Sequence, residues 1–507
     1  QIAQVALWLT DHQMNQLVSE EFGQYFARLP LTKSPNIVYG NALRIDWATV
    51  VDPATLNYIV GNPPFIGAMV MSEANREDMA VVFDGVKGYG VLDYVAAWYL
   101  LAAKYLARDL TPGRIRCAFV STNSIVQGEQ VGLLWHQLLP LGIKISFAHR
   151  TFKWSNEARG VAAVHCVIIG FAIGEAPRKC LYEYDEPTSD PHLTQAKNIS
   201  PYLVDATDLL LSNREQPLCD VPSMRYGNMP RDDGQLLLSD DEKRELERRE
   251  PAASAVIRPF MSAREFLNDE RRWCLWLKDV SPTTLRGLPE VMKRVENVRR
   301  FRLASKAAST RRFAASPGLF AQIAQPTTSY LLVPRHSSES RRYIPFGFFT
   351  PDHIVADSCL FVPDATLYHF GVMSSEMHMA WVRSTCGRIK SDYRYSKDVV
   401  YNNFPWPAPT DAQRKLIEAA AQKVLDRRLE HSPASLADLY DPLATPPSLV
   451  AAHQGLDRAV DAAYRRAAFS TEAERVAYLF ERYRTLSAPL IPEVPKTVKR
   501  KRAPASR

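Results

Sequence analysis

Apolar and polar positions alternate along residues 1–204 in a way that predicts strands and helices in turn. Short apolar runs predict strands over residues 37–39, 56–60, 115–120, 143–148 and 164–171. Helical spacing predicts an opening helix, with Ile2, Val5 and Leu9 on one face, and further helices over residues 93–106 and 132–139. This alternation indicates an α/β fold with a parallel sheet covered on both faces.

The pattern changes after residue 204. Residues 205–409 contain short strand-like runs, many prolines and clusters of arginine with aromatic residues, which predict a separate α+β domain. Residues 410–490 return to helical spacing, with Leu416, Ala420 and Val424 on one face. Residues 491–507 are basic and rich in proline, and we expect a disordered tail there.

The composition is that of a globular protein, with 46% hydrophobic and 23% charged residues in a chain of 507. No apolar run reaches the ~18 residues that a membrane span requires, so we expect no membrane association and a cytoplasmic location. The seven cysteines never occur as a C-x-x-C pair, so neither a disulfide framework nor a metal site is expected. The net charge of +7 permits a polyanionic partner without requiring one.

The segment Asn62-Pro63-Pro64-Phe65 directly follows an apolar strand and is the most informative motif in the chain. The exocyclic nitrogen of adenine is hard to methylate because its lone pair is delocalised into the ring. The Asn62 side-chain oxygen and the Pro63 carbonyl could accept hydrogen bonds from that amine and favour a tetrahedral nitrogen, while Phe65 offers a flat face to the base. The prolines stiffen the loop. The same four residues also fit a rigid turn without a catalytic role.

Four residues follow predicted strands, namely Asn41, Asn62, Ser121 and Phe152, and we expect them to meet in one crevice beyond the carboxyl ends of the strands. A base inside a duplex cannot reach such a crevice, so its nucleotide would have to be flipped out. Phe65 and Phe152 would then stack on the two faces of the base. Taken alone, Phe152 fits a core aromatic residue as well.

Three basic groups in residues 205–409 favour contact with double-stranded DNA, since lysine and arginine bind phosphates and a few of them read base edges. Each residue by itself is more typical of a solvated surface, and only the three groups together favour a DNA face. The candidate DNA-binding residues are Arg294, Arg299, Arg300, Arg335, Arg388, Lys390, Arg394 and Lys397.

Several segments resemble the MmeI-like enzymes, the type IIL restriction–modification family. In the α/β part these are "GNAL", "YIVGNPPFIG", "FVSTNSIVQGEQV" and "HRTFKWSNEARGVAAVHCVIIGF". The segments "VPRHSSESRRYIPFGF" and "GRIKSDYRYSKDVVYNNFPWP" resemble the target-recognition domain of that family, and "DLYDPLATPPSLVAAHQGLDRAVD" resembles its C-terminal helical segment. The resemblance extends over nearly the whole chain.

The resemblance implies a partial Rossmann-like class I methyltransferase sheet in residues 1–204, followed by the target-recognition domain and the helical segment. It also implies roles for individual residues. The catalytic motif would be Asn62, Pro63, Pro64 and Phe65, the contacts to the adenine ring of S-adenosylmethionine would be Asn41 and Ala42, and the aromatic residue stacking on the flipped adenine would be Phe152.

Three features of the family are missing from the sequence: the glycine-rich cofactor loop, the acidic residue that holds the ribose, and the amino-terminal nuclease domain. The chain begins at Gln1 inside the predicted opening helix, with no capping residue before it. We therefore expect the C-terminal portion of such an enzyme, which by itself would bind the cofactor poorly.

The resulting hypothesis is S-adenosylmethionine-dependent methylation of adenine N6 at a specific duplex sequence, in a restriction–modification system. Two alternatives stay open. A fragment without catalytic activity could bind DNA through residues 205–409 alone, and similar motifs occur in amino-methyltransferases that act on RNA or protein. Cofactor binding tests the first alternative, and methyl incorporation into each polymer tests the second.

Overall fold

A computed structural model describes residues 2–23, 35–109, 111–154, 164–185, 188–389 and 391–488. The chain divides into two compact units. The first unit contains Gln1–Ser121, Gln137–Lys144 and Ile169–Pro177, and the second contains the rest of the chain.

The first unit is built around a parallel strand pair and an apolar helix. Its elements are α1 (Ile2–Phe22), β1 (Tyr58–Gly61), α2 (Glu73–Val82), α3 (Ala96–Leu106) and β2 (Arg116–Thr122). β1 and β2 pair in parallel, with Gly61 opposite Phe119. The rings of Tyr99, Phe119 and Phe171 pack on one another with centroids 5.3–6.0 Å apart. Burying each such side chain contributes roughly 1.5–3 kcal/mol, which makes this cluster the core of the unit.

The sheet as a whole is mixed. It has the order β1-β2-β4-β3-β5-β6. The remaining elements are α4 (Gly128–Leu138), β3 (Ile143–Trp154), β4 (Val164–Ile173), β5 (Lys179–Glu183) and β6 (His192–Ala196). β5 pairs with β3 in parallel but with β6 in the antiparallel direction, so the expectation of an all-parallel sheet is wrong at this edge.

Most predicted elements of this region are confirmed, with two exceptions. Residues 37–39 form no strand, and the side chain of Tyr39 is fully exposed, so this apolar run does not mark a buried strand. The strands β5 and β6 are not predicted by periodicity. Four of the five residues of β6 are exposed, which leaves little apolar alternation to detect.

Residues 205–408 form the predicted α+β arrangement, in the second unit. Three small sheets have the orders β14-β9-β10-β8, β13-β11-β15-β7 and β12-β17-β16. The strands are β7 (Arg225–Tyr226), β8 (Leu237–Leu238), β9 (Ile257–Met261), β10 (Trp273–Leu275), β11 (Tyr330–Pro334), β12 (His336–Ser337), β13 (Gly347–Phe349), β14 (Ile354–Val355), β15 (Cys359–Pro363), β16 (Gly387–Ile389) and β17 (Asp392–Arg394). The helices are α5 (Asp240–Arg249), α6 (Ala263–Asn268), α7 (Pro282–Arg286), α8 (Pro289–Ala304), α9 (Ala308–Arg312), α10 (Leu367–Met373) and α11 (Glu376–Thr385).

The C-terminal region is helical, as predicted, with α12 (Asp411–Glu430), α13 (Leu436–Leu439), α14 (Pro447–Tyr464) and α15 (Glu472–Ser487). Its buried stripe on α12 differs from the predicted one. Ile417, Ala421 and Val424 are buried, whereas Leu416 is exposed. A Cβ placed on Gly371 would lie 2.8 Å from Ile417, which shows how closely α10 approaches this face. No helix in the described part of the chain is long and apolar enough to span a membrane.

Candidate functional site

The Asn-Pro-Pro-Phe loop leaves the carboxyl end of β1 in the first unit. Gly61 lies so close to Phe119 that a Cβ there would stand 3.2 Å from its ring. Pro63 is buried and Asn62 is exposed. No hydrogen bond to the Asn62 side chain forms within the described residues, so its amide is available to a ligand. Downstream, Ile66 accepts a 2.9 Å hydrogen bond from the backbone N–H of Tyr94, which anchors the loop ahead of α3.

An open pocket of about 400 Å³ borders this loop. Its apolar walls include Trp47, Trp98 and Phe119, and its polar group is the exposed Asn62 amide. Flat aromatic walls with one polar contact suit a planar heterocycle such as a purine. The two tryptophans were not identified from the sequence, although a tryptophan close to a predicted loop site is a usable signal.

The residues expected to contact the cofactor form a turn that is tied to α2. The Asn41 side chain donates to Asp78 (2.9 Å) and accepts from the backbone N–H of Leu43 (2.9 Å). The Ala42 carbonyl accepts a 2.9 Å hydrogen bond from the indole of Trp47, which lines the pocket. Asn41 therefore shapes the turn with its side chain, and Ala42 holds one wall of the pocket.

Asp78 is the buried hub of this arrangement. Besides Asn41, it accepts hydrogen bonds from Arg44 Nε (2.6 Å) and the Tyr94 hydroxyl (2.6 Å). Burial alone would raise the pKa of Asp78, but the hydrogen bonds from Tyr94, Arg44 and Asn41 outweigh it and lower the pKa below its ordinary value. The carboxylate therefore stays charged and keeps the Asn41 turn, α2 and the start of α3 together.

Two residues expected at the strand ends lie inside strands instead. Ser121 is within β2, fully buried, and hydrogen-bonded to the Tyr99 hydroxyl at 2.6 Å, so it does not face a crevice. Phe152 is within β3, which is longer than predicted. Both differences arise because the strands extend beyond their apolar cores into mixed sequence.

Phe152 belongs to an aromatic group in the second unit. Its ring stacks on Tyr184 with centroids 5.5 Å apart. His149 stacks on Tyr182 at 4.2 Å and shares a 2.8 Å hydrogen bond between its Nδ1 and the Tyr184 hydroxyl. Burial lowers the pKa of His149, which favours the neutral ring.

The candidate DNA-binding residues differ in their exposure and in the polar partners that they already have. Arg299 and Arg300 are exposed on α8, where Arg299 lies 3.8 Å from Glu296 and Arg300 donates to Asn297 at 2.5 Å. Arg294 is less exposed and pairs with Glu242 at 3.0 Å. Arg388 pairs weakly with Glu339 at 3.4 Å and stacks over Tyr393.

Among the others, Arg335 donates to the Asp357 carbonyl and Lys397 pairs with Asp398, while Arg394 is exposed on β17. Lys390 lies outside the described residues. Within those residues, no cluster of histidine, cysteine and acidic side chains could hold a metal ion.

Comparison with known families assigns the parts of the chain. The model for the MmeI DNA-methyltransferase domain matches residues 1–183, that for the MmeI target recognition domain matches residues 205–408, and that for the MmeI C-terminal domain matches residues 409–491. An α/β sheet with an Asn-Pro-Pro-Phe loop, followed by a recognition domain and C-terminal helices, defines the architecture of a methyltransferase that carries its own target-recognition domain.

Two individual relatives show which family within this class of methyltransferases the chain resembles. DNA methyltransferase A of Bacillus subtilis (strain 168) is 36% identical over 491 residues, covering 96% of this chain and 54% of that protein. The type IIL restriction–modification enzyme MmeI, solved in complex with DNA, is 49% identical with a TM-score of 0.85, covering 96% of this chain and 65% of that one. The chain thus spans about half the length of the curated relative that it matches. It belongs to the MmeI-like family of restriction–modification enzymes.

Proposed function

We propose that this chain is the methyl-transferring and DNA-recognising part of an S-adenosylmethionine-dependent DNA methyltransferase that acts on adenine N6 in a restriction–modification system. The observation that carries the proposal is the exposed amide of Asn62, which has no partner within the described residues and lies beside an aromatic pocket at the end of β1. The MmeI complex with DNA and the name of the Bacillus subtilis relative support DNA as the substrate and methyl transfer as the reaction.

The proposed catalysis depends on two hydrogen-bond acceptors that lie on one rigid loop. Asn62 Oδ1 and the Pro63 carbonyl would accept hydrogen bonds from the adenine amine and direct its lone pair outward. Pro63 and Pro64 have no N–H to compete for these acceptors, and their fixed φ angles hold the carbonyl in place. Phe65 would support the ring of the base. Catalysis then rests on position and electrostatics, without a general base of shifted pKa.

The pocket beside the loop fits the adenine part of the cofactor. Trp47, Trp98 and Phe119 would enclose its ring, and the turn at Asn41 and Ala42 would fix the position of Trp47. When bound, S-adenosylmethionine supplies an activated methyl group on sulfur. The role of the chain is to place the amine and to keep the site free of competing hydrogen-bond donors.

The DNA would supply a flipped nucleotide, at a cost of a few kcal/mol that stacking can offset. Phe152 is proposed to take part in this stacking, together with the aromatic residues that pack on it. Among the candidates that the structure describes, Arg299, Arg300 and Arg394 are exposed, and they are proposed to contact phosphates.

The test is incorporation of labelled methyl groups into DNA, RNA and protein by the intact protein that contains this chain and by its Asn62→Ala variant. We expect label in DNA only, and a loss of about 100- to 1000-fold in rate for Asn62→Ala, the size typical of removing one preorganised catalytic hydrogen bond. Asn268→Ala is the matched control, because Asn268 is an exposed asparagine on α6. DNA affinity should stay unchanged in both variants. Equal loss of DNA binding in Asn62→Ala would make Asn62 structural, and label in RNA or protein alone would exclude the proposed substrate.

A further inference from the structure

A pocket of about 340 Å³ lies in the C-terminal helical region, within the second unit. It is lined by the C-terminal half of α14, by the loop that follows this helix and by the first turn of α15. None of its residues belongs to the Asn62 loop or to the candidate DNA-binding set, so the proposed function leaves the pocket unassigned. Its charged residues are Arg458, Arg465, Arg466, Arg475, Asp457 and Asp461.

Acidic side chains neutralise only part of the positive charge. Asp461 forms an ion pair with Arg475, whose Nε and Nη2 donate to its two oxygens at 3.3 and 2.6 Å. Asp457 is buried, and its oxygens accept hydrogen bonds from the Tyr343 hydroxyl and the Glu376 N–H, each at 2.7 Å. Both carboxylates thus have donors of their own, and no other arginine of the pocket donates to them within the described residues.

Arg465 holds the loop that follows α14. Its Nε donates to the Ala467 carbonyl and its Nη2 to the Ala468 carbonyl, each at 2.9 Å. Nη2 also pairs with Glu474 at 2.5 Å, and the guanidinium lies over the ring of Phe469, 3.6 Å from its centroid. Even with Glu474 included, four arginines face three acidic residues, so the pocket keeps a net positive charge.

The unused hydrogen-bonding capacity of the pocket consists of donors. Arg458 and Arg466 are exposed, and neither forms a hydrogen bond or an ion pair within the described residues. The main-chain N–H groups of residues 466–469 likewise have no acceptor in the part of the chain that the structure describes. Each guanidinium offers five N–H groups in a planar fork that fits two oxygens of one anion. A ligand rich in acceptors would use both sets of donors.

An anion with several oxygens matches this arrangement. Single exposed arginines are common on solvated surfaces, and alone they would indicate no ligand. Here two of them border the same pocket as a row of backbone donors, and Arg465 fixes the loop that carries those donors. A phosphate has oxygens on all sides and accepts bidentate hydrogen bonds from arginine, whereas a carboxylate has only two oxygens. Phosphate can therefore bind the side-chain forks and the backbone donors together.

We propose that this pocket binds a phosphate group, held by Arg458, by Arg466 and by the main-chain N–H groups of the loop after α14. Two sources carry this chemistry, a phosphate of the DNA backbone and a free phosphate compound. The first source rests on the proposed function, since DNA is there the substrate. Binding of free phosphate does not depend on that function, so the two can be tested separately.

The first measurement is a calorimetric titration of the intact protein with inorganic phosphate, at constant ionic strength set with chloride. Replacing both arginines, Arg458→Gln with Arg466→Gln, should weaken phosphate binding at least about 10-fold, the worth of one hydrogen bond to a charged group. The matched control is Lys415→Gln with Lys423→Gln, which removes two exposed positive charges from α12 in the same region. This control should keep the wild-type affinity for phosphate.

The second measurement is the salt dependence of binding to a duplex of random sequence. If the pocket holds one phosphate of the backbone, the double glutamine variant of the pocket should lower the slope of log affinity against log salt by about 1, relative to the wild type and to the lysine control. Arg458→Lys with Arg466→Lys should keep the slope but lose part of the affinity for phosphate, because an ammonium group lacks the planar fork. Thermal melting of each variant establishes that it is folded.

The outcomes identify the source or overturn the site. A lower salt slope in the pocket variant alone supports the site and assigns it to the DNA backbone, and weaker phosphate binding with an unchanged slope supports it and assigns it to a free phosphate compound. If the pocket variant matches the lysine control in both measurements, the phosphate site is overturned. Failure of the wild type to bind the duplex would overturn the proposed DNA function, while the phosphate titration would still decide on the site.

Discussion

Replacing Arg302 with alanine is expected to destabilise the recognition domain, although this arginine lies in the most basic stretch of the sequence. Its side chain is fully buried on α8. The guanidinium donates only to backbone carbonyls, at 2.8–3.0 Å, and the acceptors are Pro230, Arg231, Phe313, Ser316 and Leu319. Arg302 therefore connects two segments, residues 230–231 and 313–319. Pro230 and Leu319 lie more than 80 residues apart in the sequence.

The size of the effect follows from these five acceptors. A buried acceptor that loses its partner costs about 1–3 kcal/mol, but water entering the space left by the side chain would satisfy some of them. With two or three of the five carbonyls left unpaired, we expect Arg302→Ala to cost about 3–5 kcal/mol. For a domain of this size that is a decrease in Tm of roughly 6–20 °C. Arg302→Lys should be intermediate, because an ammonium group has three donors for five carbonyls.

Differential scanning calorimetry measures the decrease, and hydrogen exchange shows whether the segments at residues 230–231 and 313–319 lose protection. Arg299→Ala is the matched control, since Arg299 lies on the same helix with 57% of its side chain exposed. We expect the free energy of unfolding of this control to lie within about 0.5 kcal/mol of the wild-type value. If Arg302→Ala melted with the wild type while DNA binding fell, Arg302 would be a DNA contact and the structural reasoning would be refuted.

Two further predictions concern charge. Arg299→Gln combined with Arg300→Gln should weaken DNA binding and lower the slope of log affinity against log salt by about 1 for each phosphate that is no longer bound, and an unchanged slope would remove α8 from the DNA face. Burial raises the pKa of Asp457, which accepts 2.7 Å hydrogen bonds from Tyr343 and the Glu376 N–H, to about 6. The folded state then favours the protonated acid. The free energy of unfolding should therefore fall by up to about 3 kcal/mol as the pH rises from about 4 to about 6, and should level off above that. In a series of Tm measurements against pH, Asp457→Asn should lack this fall.

The basic stretch shows what charge alone can and cannot predict. Composition indicates a cationic surface, and Arg299 and Arg300 do lie exposed on α8. Yet Val295, Val298 and Arg302 form one buried stripe of the same helix. Their spacing of three and four residues, which the prediction of a cationic surface did not use, puts Arg302 on the apolar face of α8. Its five partners were not predictable, because they come from loops brought together only by the fold.

In the α/β part, local periodicity predicted β2, α3 and α4, since each has a face or an entire surface that is buried. The apolar run also predicted β1, although none of its residues is buried. Periodicity did not predict the strands, or parts of strands, that are stabilised mainly by backbone hydrogen bonds. β6 exposes most of its side chains and is held by pairing with β5, so its sequence carries little alternation. For the same reason β3 continues beyond its apolar core to Trp154, which places Phe152 within the strand instead of after it.

The turn at Asn41 shows which part of the candidate site could not be predicted from the sequence. The resemblance assigns Asn41 to the cofactor, but both ends of its side-chain amide are already used, by Asp78 and by the backbone of Leu43. Asp78 is 37 residues away in the sequence, so no local pattern could reveal the contact. An amide that closes its own turn contributes to binding through the shape of that turn. In this site the shape matters because Ala42 holds the indole of Trp47, and Trp47 forms a wall of the pocket beside Asn62. We therefore propose that Asn41 contributes to cofactor binding by shaping the turn that positions Trp47.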